Sequence, residues 1–311
     1  MPTVFVVRER ALLTVRSASS VRPRRAREAS LDSACGIPLS RWARPSLKRR
    51  RMSSDFAASL KVRNAADYAD FLLAYLDDDF RVLDVGCGQG TITLGLAERV
   101  AHIVAVDQKA EEFADARCYA AGHQIKNVEF RVGSVYALDF PDDHFDACLC
   151  HSMLETLDRP LDGLAEVKRI LKPGGVLGVA CVEYGGLILA GPSHELLRRF
   201  YAIRERVWLL ENTADPYRGR QLRGLLERAR FDRVTATSKY FCYGTGEAVE
   251  SFGLARAEDC GDGWYARSAR KHGLATASDL DAMRRAWLDW SKSSDAYLAF
   301  AWGRALGWKP S

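Results

Sequence analysis

Short apolar runs alternate with amphipathic stretches from residue 67 onward, and this alternation is the chain's most regular feature. Strands buried on both faces of a parallel sheet are apolar at nearly every position, whereas surface helices repeat apolar residues every three or four positions. On this basis strands are predicted over 81–85, 103–106, 128–132, 145–150 and 176–182, and helices over 67–76, 91–100, 110–122 and 161–171. Strands and helices alternating at this interval indicate βαβ units and a parallel sheet.

The rhythm changes after residue 182, where helical spacing dominates. Helices are predicted over 194–210 and 219–229, more helix over 247–292, and two further strands over 234–240 and 296–304. The pattern therefore predicts an α/β fold with a doubly wound, mostly parallel, seven-stranded sheet. Residues 52–311 would form one domain, with helical cap insertions from about 183–230 and 247–292.

Composition changes this picture little. Of the 311 residues, 48% are hydrophobic and 27% charged, as in ordinary globular proteins. Apolar runs such as 185–190 are far shorter than the roughly 20 residues that span a bilayer, so no membrane span is expected. The eight cysteines form no CxxC pair, which predicts reduced cysteines and a cytoplasmic location. No Cys/His cluster has metal-ligand spacing, so no metal site is predicted.

Charge is distributed unevenly along the chain. Residues 1–51 hold twelve Arg and one Lys against three acids, a net of +10, so residues 52–311 carry −5 of the overall +5. This arginine-rich segment has no helical or strand period and is predicted to be disordered. It fits three interpretations: an upstream stretch before a natural start at Met52, a mitochondrial transit peptide, or a basic arm for nucleic acid or anionic membrane. The acidic remainder argues against a nucleic-acid partner.

A glycine run follows the first predicted strand and precedes a helix. Glycine lets the backbone approach a ligand closely, and a helix N-terminus adds free N–H donors. Asp107, after the second strand, is placed to accept hydrogen bonds from ribose hydroxyls. The run is GxGxG rather than GxGxxG, and Asp84 precedes it. An acid there would repel a pyrophosphate but suits a cationic α-amine, which favours S-adenosylmethionine over a dinucleotide.

Four segments occur in a characteristic order: VLDVGCGQG, VAVD, GSVYALDFPDDHFDACLCHSMLETLDRP and RILKPGGVLGVA. Over about residues 60–182 the chain resembles class I S-adenosylmethionine-dependent methyltransferases of Rossmann-like fold, closest to the small-molecule branch of ubiquinone and menaquinone biosynthesis. The resemblance implies methyl transfer with S-adenosylhomocysteine as product. It also implies these cofactor-binding residues: Asp84, Gly86, Cys87, Gly88 and Gly90 for the methionine part, Asp107 for the ribose, and Gln108, Ser134 and Val135 for the adenine. The family usually has Asp where Ser134 stands, so a charge is lost there.

His151, just after the fourth strand, lies where the family's chain passes under the sulfonium. It is a candidate general base or, alternatively, a cofactor-side hydrogen-bonding residue. The segment after this strand lacks the [DN]PP[FY] motif of amino-methylating DNA and glutamine enzymes. We therefore expect a small, partly apolar acceptor, with oxygen, nitrogen and carbon all open. Two alternatives stay open: a non-catalytic or non-methylating cofactor-binding protein of this fold, and an RNA or protein methyltransferase that uses the basic arm.

Overall fold

The computed structural model describes residues 63–211 and 214–311. The three interpretations of segment 1–51 therefore concern residues outside the described part of the chain. A seven-stranded sheet in the order β3-β2-β1-β4-β5-β7-β6 forms the centre of the described chain. Its strands are β1 Arg81–Val85, β2 His102–Asp107, β3 Val128–Val132, β4 Phe145–His151, β5 Leu171–Ala190, β6 Asp232–Tyr243 and β7 Tyr297–Trp308. Only β7 runs antiparallel to its neighbours, so the predicted mostly parallel seven-stranded sheet is confirmed.

Ten helices accompany these strands in the described residues. They are α1 Ala65–Tyr68, α2 Asp70–Leu73, α3 Thr91–Ala97, α4 Ala114–Gly122, α5 Pro160–Ile170, α6 His194–Leu210, α7 Leu222–Arg228, α8 Gly246–Asp259, α9 Trp264–Lys271 and α10 Ala277–Trp290. Short 3₁₀ turns occur at Ala110–Phe113, Leu154–Thr156 and Arg218–Gln221. The helix predicted over 67–76 is instead two short helices, because Ala69 leaves helical geometry at φ −122° and ψ 12°. Within the described chain, no helix has the length and apolar character needed to cross a membrane.

Strand β5 is much longer than predicted. Residues 183–190, predicted as the start of a helical insertion, continue the strand because β7 pairs with it from Val176 to Ala190, with one irregularity between Glu183 and Ile188. Pairing of β5 with β4 is interrupted between Leu171 and Val176. The helical prediction for 183–190 was wrong because a strand's partner is invisible to local periodicity.

Two groups of helices cover different parts of the sheet. Helix α7 was predicted as part of a cap, but its Leu222, Leu225 and Leu226 belong to the core cluster of α5 and the central strands. Helices α6, α8, α9 and α10 form what we call the C-terminal helical layer, centred on buried aromatic side chains such as Trp287 and packed against β5 and β7. The described helices over the end of the sheet therefore begin at His194 rather than at residue 183.

Candidate functional site

The loop after β1 is shaped by its glycines. Backbone N–H groups of Gly86 and Cys87 both donate to the carbonyl of Val106 on β2, at 2.8 and 3.1 Å, which ties the loop to the neighbouring strand. Gly90 has φ +71° and is the N-cap residue of α3, and a Cβ on it would lie 2.8 Å from Phe130 and 2.9 Å from Ala116. Glycine at this position is therefore required by backbone conformation and by space.

A cleft opens at the carboxyl ends of β1, β2 and β4, where parallel strands of such sheets expose their loops. We call it the strand-end cleft. It is lined by Arg63, Asp84, Gly86, Cys87, Gly88, Gln89, Thr91, Ile92, Asp107, Lys109, Glu112, His151 and Ser152. Six residues predicted to hold the cofactor thus meet in one cleft, although they come from three separate strands and the loops after them.

Asp84 is the deepest acid of the cleft. Its side chain is buried, and its Oδ2 accepts a 2.6 Å hydrogen bond from the hydroxyl of Thr93 on α3. Burial raises the pKa of Asp84 to about 7, and the Thr93 hydrogen bond opposes this shift. A buried carboxyl with so little compensation favours a cationic ligand, because a nearby positive charge would restore its ionised form.

Asp107 ends β2 on the other side of the glycine loop. Its Oδ2 accepts a hydrogen bond from the backbone N–H of Gly88 at 2.9 Å, and its Oδ1 accepts one from the N–H of Lys109 at 3.3 Å. The carboxylate is therefore fixed in orientation while remaining partly open to the cleft. A carboxylate held in this way can accept hydrogen bonds from a diol.

His151 lies among aromatic side chains at the end of β4. Its ring stacks on Trp302 with centroids 4.8 Å apart and meets the edge of Tyr68 at 5.5 Å. Burial, together with the positive charge of Arg63, holds the pKa of His151 well below its usual range. The imidazole is consequently neutral at physiological pH, and protonating it is unfavourable.

Four predicted residues do not line the strand-end cleft. Gly90 is buried behind it, Gln108 is exposed, and Val135 is buried in the core cluster of α5. The Ser134 hydroxyl accepts a 3.3 Å hydrogen bond from the backbone N–H of Tyr136. The assignment of Gln108, Ser134 and Val135 to the adenine, and of Gly90 to the methionine part, stays a prediction.

Several cleft residues were missed by the sequence analysis. Arg63 is buried, with its guanidinium 4.9 Å from the centroid of Trp302 and 5.5 Å from that of Tyr68. Gln89 and Thr91 lie inside or beside the glycine run, so their position in that motif was an available signal. Arg63 offered no such signal, because its place depends on a strand at the other end of the chain.

Comparisons with known proteins show similarity to methyltransferases. Residues 83–179 match the family model described as a methyltransferase domain. An uncharacterised methyltransferase of Schizosaccharomyces pombe is 30% identical over 187 residues, which cover 57% of this chain and 66%, about two thirds, of that protein. A probable methyltransferase of Aspergillus luteorubrus, ltbC, is 28% identical over 291 residues, or 83% of this chain and 95% of that one.

Solved structures show the same fold at low identity. The YcgJ protein of Bacillus subtilis has 16% identity and a TM-score of 0.53, covering 78% of this chain and 97% of its own. A phosphoethanolamine N-methyltransferase of Haemonchus contortus, solved with S-adenosyl-L-methionine, has 14% identity and a TM-score of 0.51, covering 83% of this chain and 57% of its own. The predicted Rossmann-like fold and the predicted resemblance are thus confirmed.

Proposed function

We propose that this chain, a member of the class I S-adenosylmethionine-dependent methyltransferases, binds S-adenosylmethionine in the strand-end cleft and transfers its methyl group to a small, partly apolar molecule. The observation that carries the proposal is the placement of two acids on opposite sides of one glycine loop. Asp84 is buried and Asp107 is held by backbone donors. A ligand with a cationic amine at one end and a ribose at the other matches both.

The residues present fit that cofactor in shape as well as in charge. A Cβ on Gly86 would lie 2.7 Å from Met153, so the loop can lie this close to the segment after β4 only without a side chain. We assign Asp84, Gly86, Cys87, Gly88 and Gly90 to the methionine part, Asp107 to the ribose hydroxyls, and Gln108, Ser134 and Val135 to the adenine. We place His151 beside the sulfonium as a neutral, aromatic-stacked side chain.

When bound, the cofactor supplies an electrophilic methyl group on a positively charged sulfur. The protein's own contribution is to align the acceptor and exclude water, since displacement at carbon depends mainly on geometry and a dry site. We propose that the C-terminal helical layer covers the acceptor, because its aromatic side chains continue from Trp302 toward α6 and α8. Phe300 of β7, for example, meets Tyr201 of α6 at a centroid distance of 5.3 Å and Phe252 of α8 at 6.1 Å.

The two alternative functions are less well supported. A binding protein without catalysis would use the same cleft, and a basic-arm enzyme would depend on residues 1–51. The acidic charge of residues 52–311 favours a small molecule over nucleic acid. We also propose a cytoplasmic location from the cysteine pattern, and a mitochondrial one if residues 1–51 serve as a transit peptide.

Calorimetric titration with S-adenosylmethionine and S-adenosylhomocysteine tests the proposal directly. We expect both to bind, and Asp107→Asn to weaken binding by about tenfold to a hundredfold, the cost of losing hydrogen bonds to a charged group. Asp115→Asn on α4 is the matched control, because this exposed acid lies outside the cleft and should leave affinity unchanged. Absence of binding by folded protein would refute the proposed function.

A further inference from the structure

Ser152 is an unusual residue of the strand-end cleft. It lines the cleft next to His151 and has φ +57°, a left-handed backbone conformation that residues other than glycine rarely adopt. Its backbone N–H donates a 2.8 Å hydrogen bond to the carbonyl of Ala180 on β5, which holds it in that conformation. Strained backbone of this kind persists where the surroundings fix it, and it is concentrated at functional sites.

Glu155 lies directly behind Ser152. The Ser152 hydroxyl donates a 2.8 Å hydrogen bond to Oε1 of Glu155, whose side chain belongs to the small set of buried polar residues. Its other oxygen, Oε2, is buried and has no hydrogen-bond partner in the described part of the chain. A buried carboxylate normally has both oxygens bonded, so a half-bonded one calls for an explanation. One explanation is that this carboxyl alternates between its ionised and neutral forms.

The groups around Glu155 allow such an alternation. Burial is the largest influence on Glu155 and raises its pKa. The Cys181 thiol of β5, the Ser152 hydroxyl and the Arg63 guanidinium oppose this shift, because each favours the ionised form. Arg218 faces the Cys181 thiol from the 3₁₀ turn at Arg218–Gln221. A carboxyl under opposing influences of this kind responds to the charge of a ligand in the adjacent cleft.

His151 is less suited to accept a proton, although the sequence makes it the obvious candidate. It is buried against Trp302, and Arg63 adds a positive charge nearby. Protonating this imidazole would place a second cation beside a sulfonium in a low-dielectric site, which is electrostatically unfavourable. Glu155 has the opposite charge relation, because its negative charge is neutralised when it takes a proton.

We propose that the methyl acceptor gives up a proton as it is methylated, and that Glu155 takes this proton through the hydroxyl of Ser152. The inference rests on the methyl transfer proposed above. An acceptor hydroxyl oxygen forms a bond to the methyl carbon, and the carbon–sulfur bond breaks with its electron pair left on sulfur. The acceptor proton moves to Ser152 Oγ while the Ser152 proton moves to Glu155 Oε1. Sulfonium and carboxylate thus become neutral thioether and neutral carboxylic acid, so charge balances.

The proton balance of cofactor binding tests this assignment without knowledge of the acceptor. S-Adenosylmethionine carries the sulfonium charge and stabilises ionised Glu155, whereas S-adenosylhomocysteine lacks it and allows protonation. Titration calorimetry of each ligand, in two buffers of different ionisation enthalpy between about pH 5 and 8, counts the protons exchanged. We expect more protons to be taken up when S-adenosylhomocysteine binds than when S-adenosylmethionine binds. The difference should be roughly several tenths of a proton at the optimum pH.

Four variants identify the group that responds. Glu155→Gln, which keeps an acceptor for Ser152, should abolish the difference between the ligands, whereas His151→Gln should retain it. Asp84→Asn should retain it as well, because both ligands carry the same α-amine. Ser152→Gly suits the left-handed backbone and removes one hydrogen bond to the carboxylate, so it should shift the uptake to higher pH; this variant carries the test if Glu155→Gln does not fold.

Two results would overturn the assignment. One is equal proton uptake by the two ligands in the wild-type protein, and the other is a difference that survives Glu155→Gln or disappears in Asp84→Asn. A protein that binds neither ligand would instead refute the proposed methyl transfer, so the two failures are distinguishable.

Discussion

Two glycines of the same loop should respond differently to the same substitution. Gly88 and Gly90 both have left-handed backbones, at φ +51° and +71°. An alanine in this conformation costs about 1 to 2 kcal/mol at either position. At Gly90 the added methyl would also lie 2.8 Å from Phe130 and 2.9 Å from Ala116, whereas at Gly88 nothing lies within 4 Å.

The extra contacts set the size of the difference. Phe130 and Ala116 are buried in one core cluster with Phe113, so neither can move freely. Overpacking of a tight core costs about 1 to 3 kcal/mol, so Gly90→Ala should lose about 2 to 5 kcal/mol of unfolding free energy. A typical domain has only about 5 to 15 kcal/mol in total. Gly88→Ala should lose about 1 to 2 kcal/mol.

Urea unfolding followed by tryptophan fluorescence measures both losses, provided the slope with denaturant is unchanged. Gly122→Ala at the end of α4 is the control, because its added methyl has open space and alanine favours helix. Binding of S-adenosylhomocysteine should show the opposite ranking. Gly88→Ala should weaken binding more than its small loss of stability would suggest, because Gly88 lines the cleft. Equal destabilisation of the Gly88 and Gly90 variants would refute the steric argument.

Two further predictions concern buried charge. Burial raises the pKa of Asp84 to about 7 from its ordinary 3.8. Between about pH 4 and 7 the folded protein without ligand therefore keeps a proton on Asp84 that the unfolded chain releases, and Asp84 destabilises the fold increasingly as pH rises through this range. Because a cationic ligand needs ionised Asp84, affinity for S-adenosylmethionine should fall as pH drops below about 7. In calorimetry, Asp84→Asn should weaken binding and flatten this dependence of affinity on pH. A pH dependence unchanged in the variant would contradict the assignment of Asp84. Arg204 pairs with Asp259 at 2.6 Å, and the two side chains are only 6% and 1% exposed. Arg204→Met should therefore lower the free energy of unfolding, measured in urea, by about 3 kcal/mol. Arg285 pairs with Asp281 at the surface, so Arg285→Ala should lower it by less than about 1 kcal/mol. Similar losses in these two variants would show that burial does not control the contribution of the pair.

Local pattern alone identified six of the residues that line the strand-end cleft. Strand β1 begins and ends where its apolar run predicts, because a parallel strand covered on both faces needs apolar residues at most positions. Strand β3 also has its predicted bounds, although it is an edge strand in which charged Glu129 and Arg131 alternate with apolar residues. The glycine run and the acids Asp84 and Asp107 stand at strand ends in any parallel sheet of this kind. Their convergence on one cleft therefore follows from strand order, which the alternation of helices and strands already indicates.

Tertiary structure decided what surrounds that site. Residues 183–190 are strand rather than helix because β7 pairs with them, and α7 packs with α5 rather than with the C-terminal helical layer. The neutrality of His151 depends on Arg63 and Trp302, which come from opposite ends of the described chain. Periodicity reports which face of an element is apolar, but it carries no information about which distant element covers that face. Burial, partner and pKa are set by that contact, so they were decided only when the chain folded.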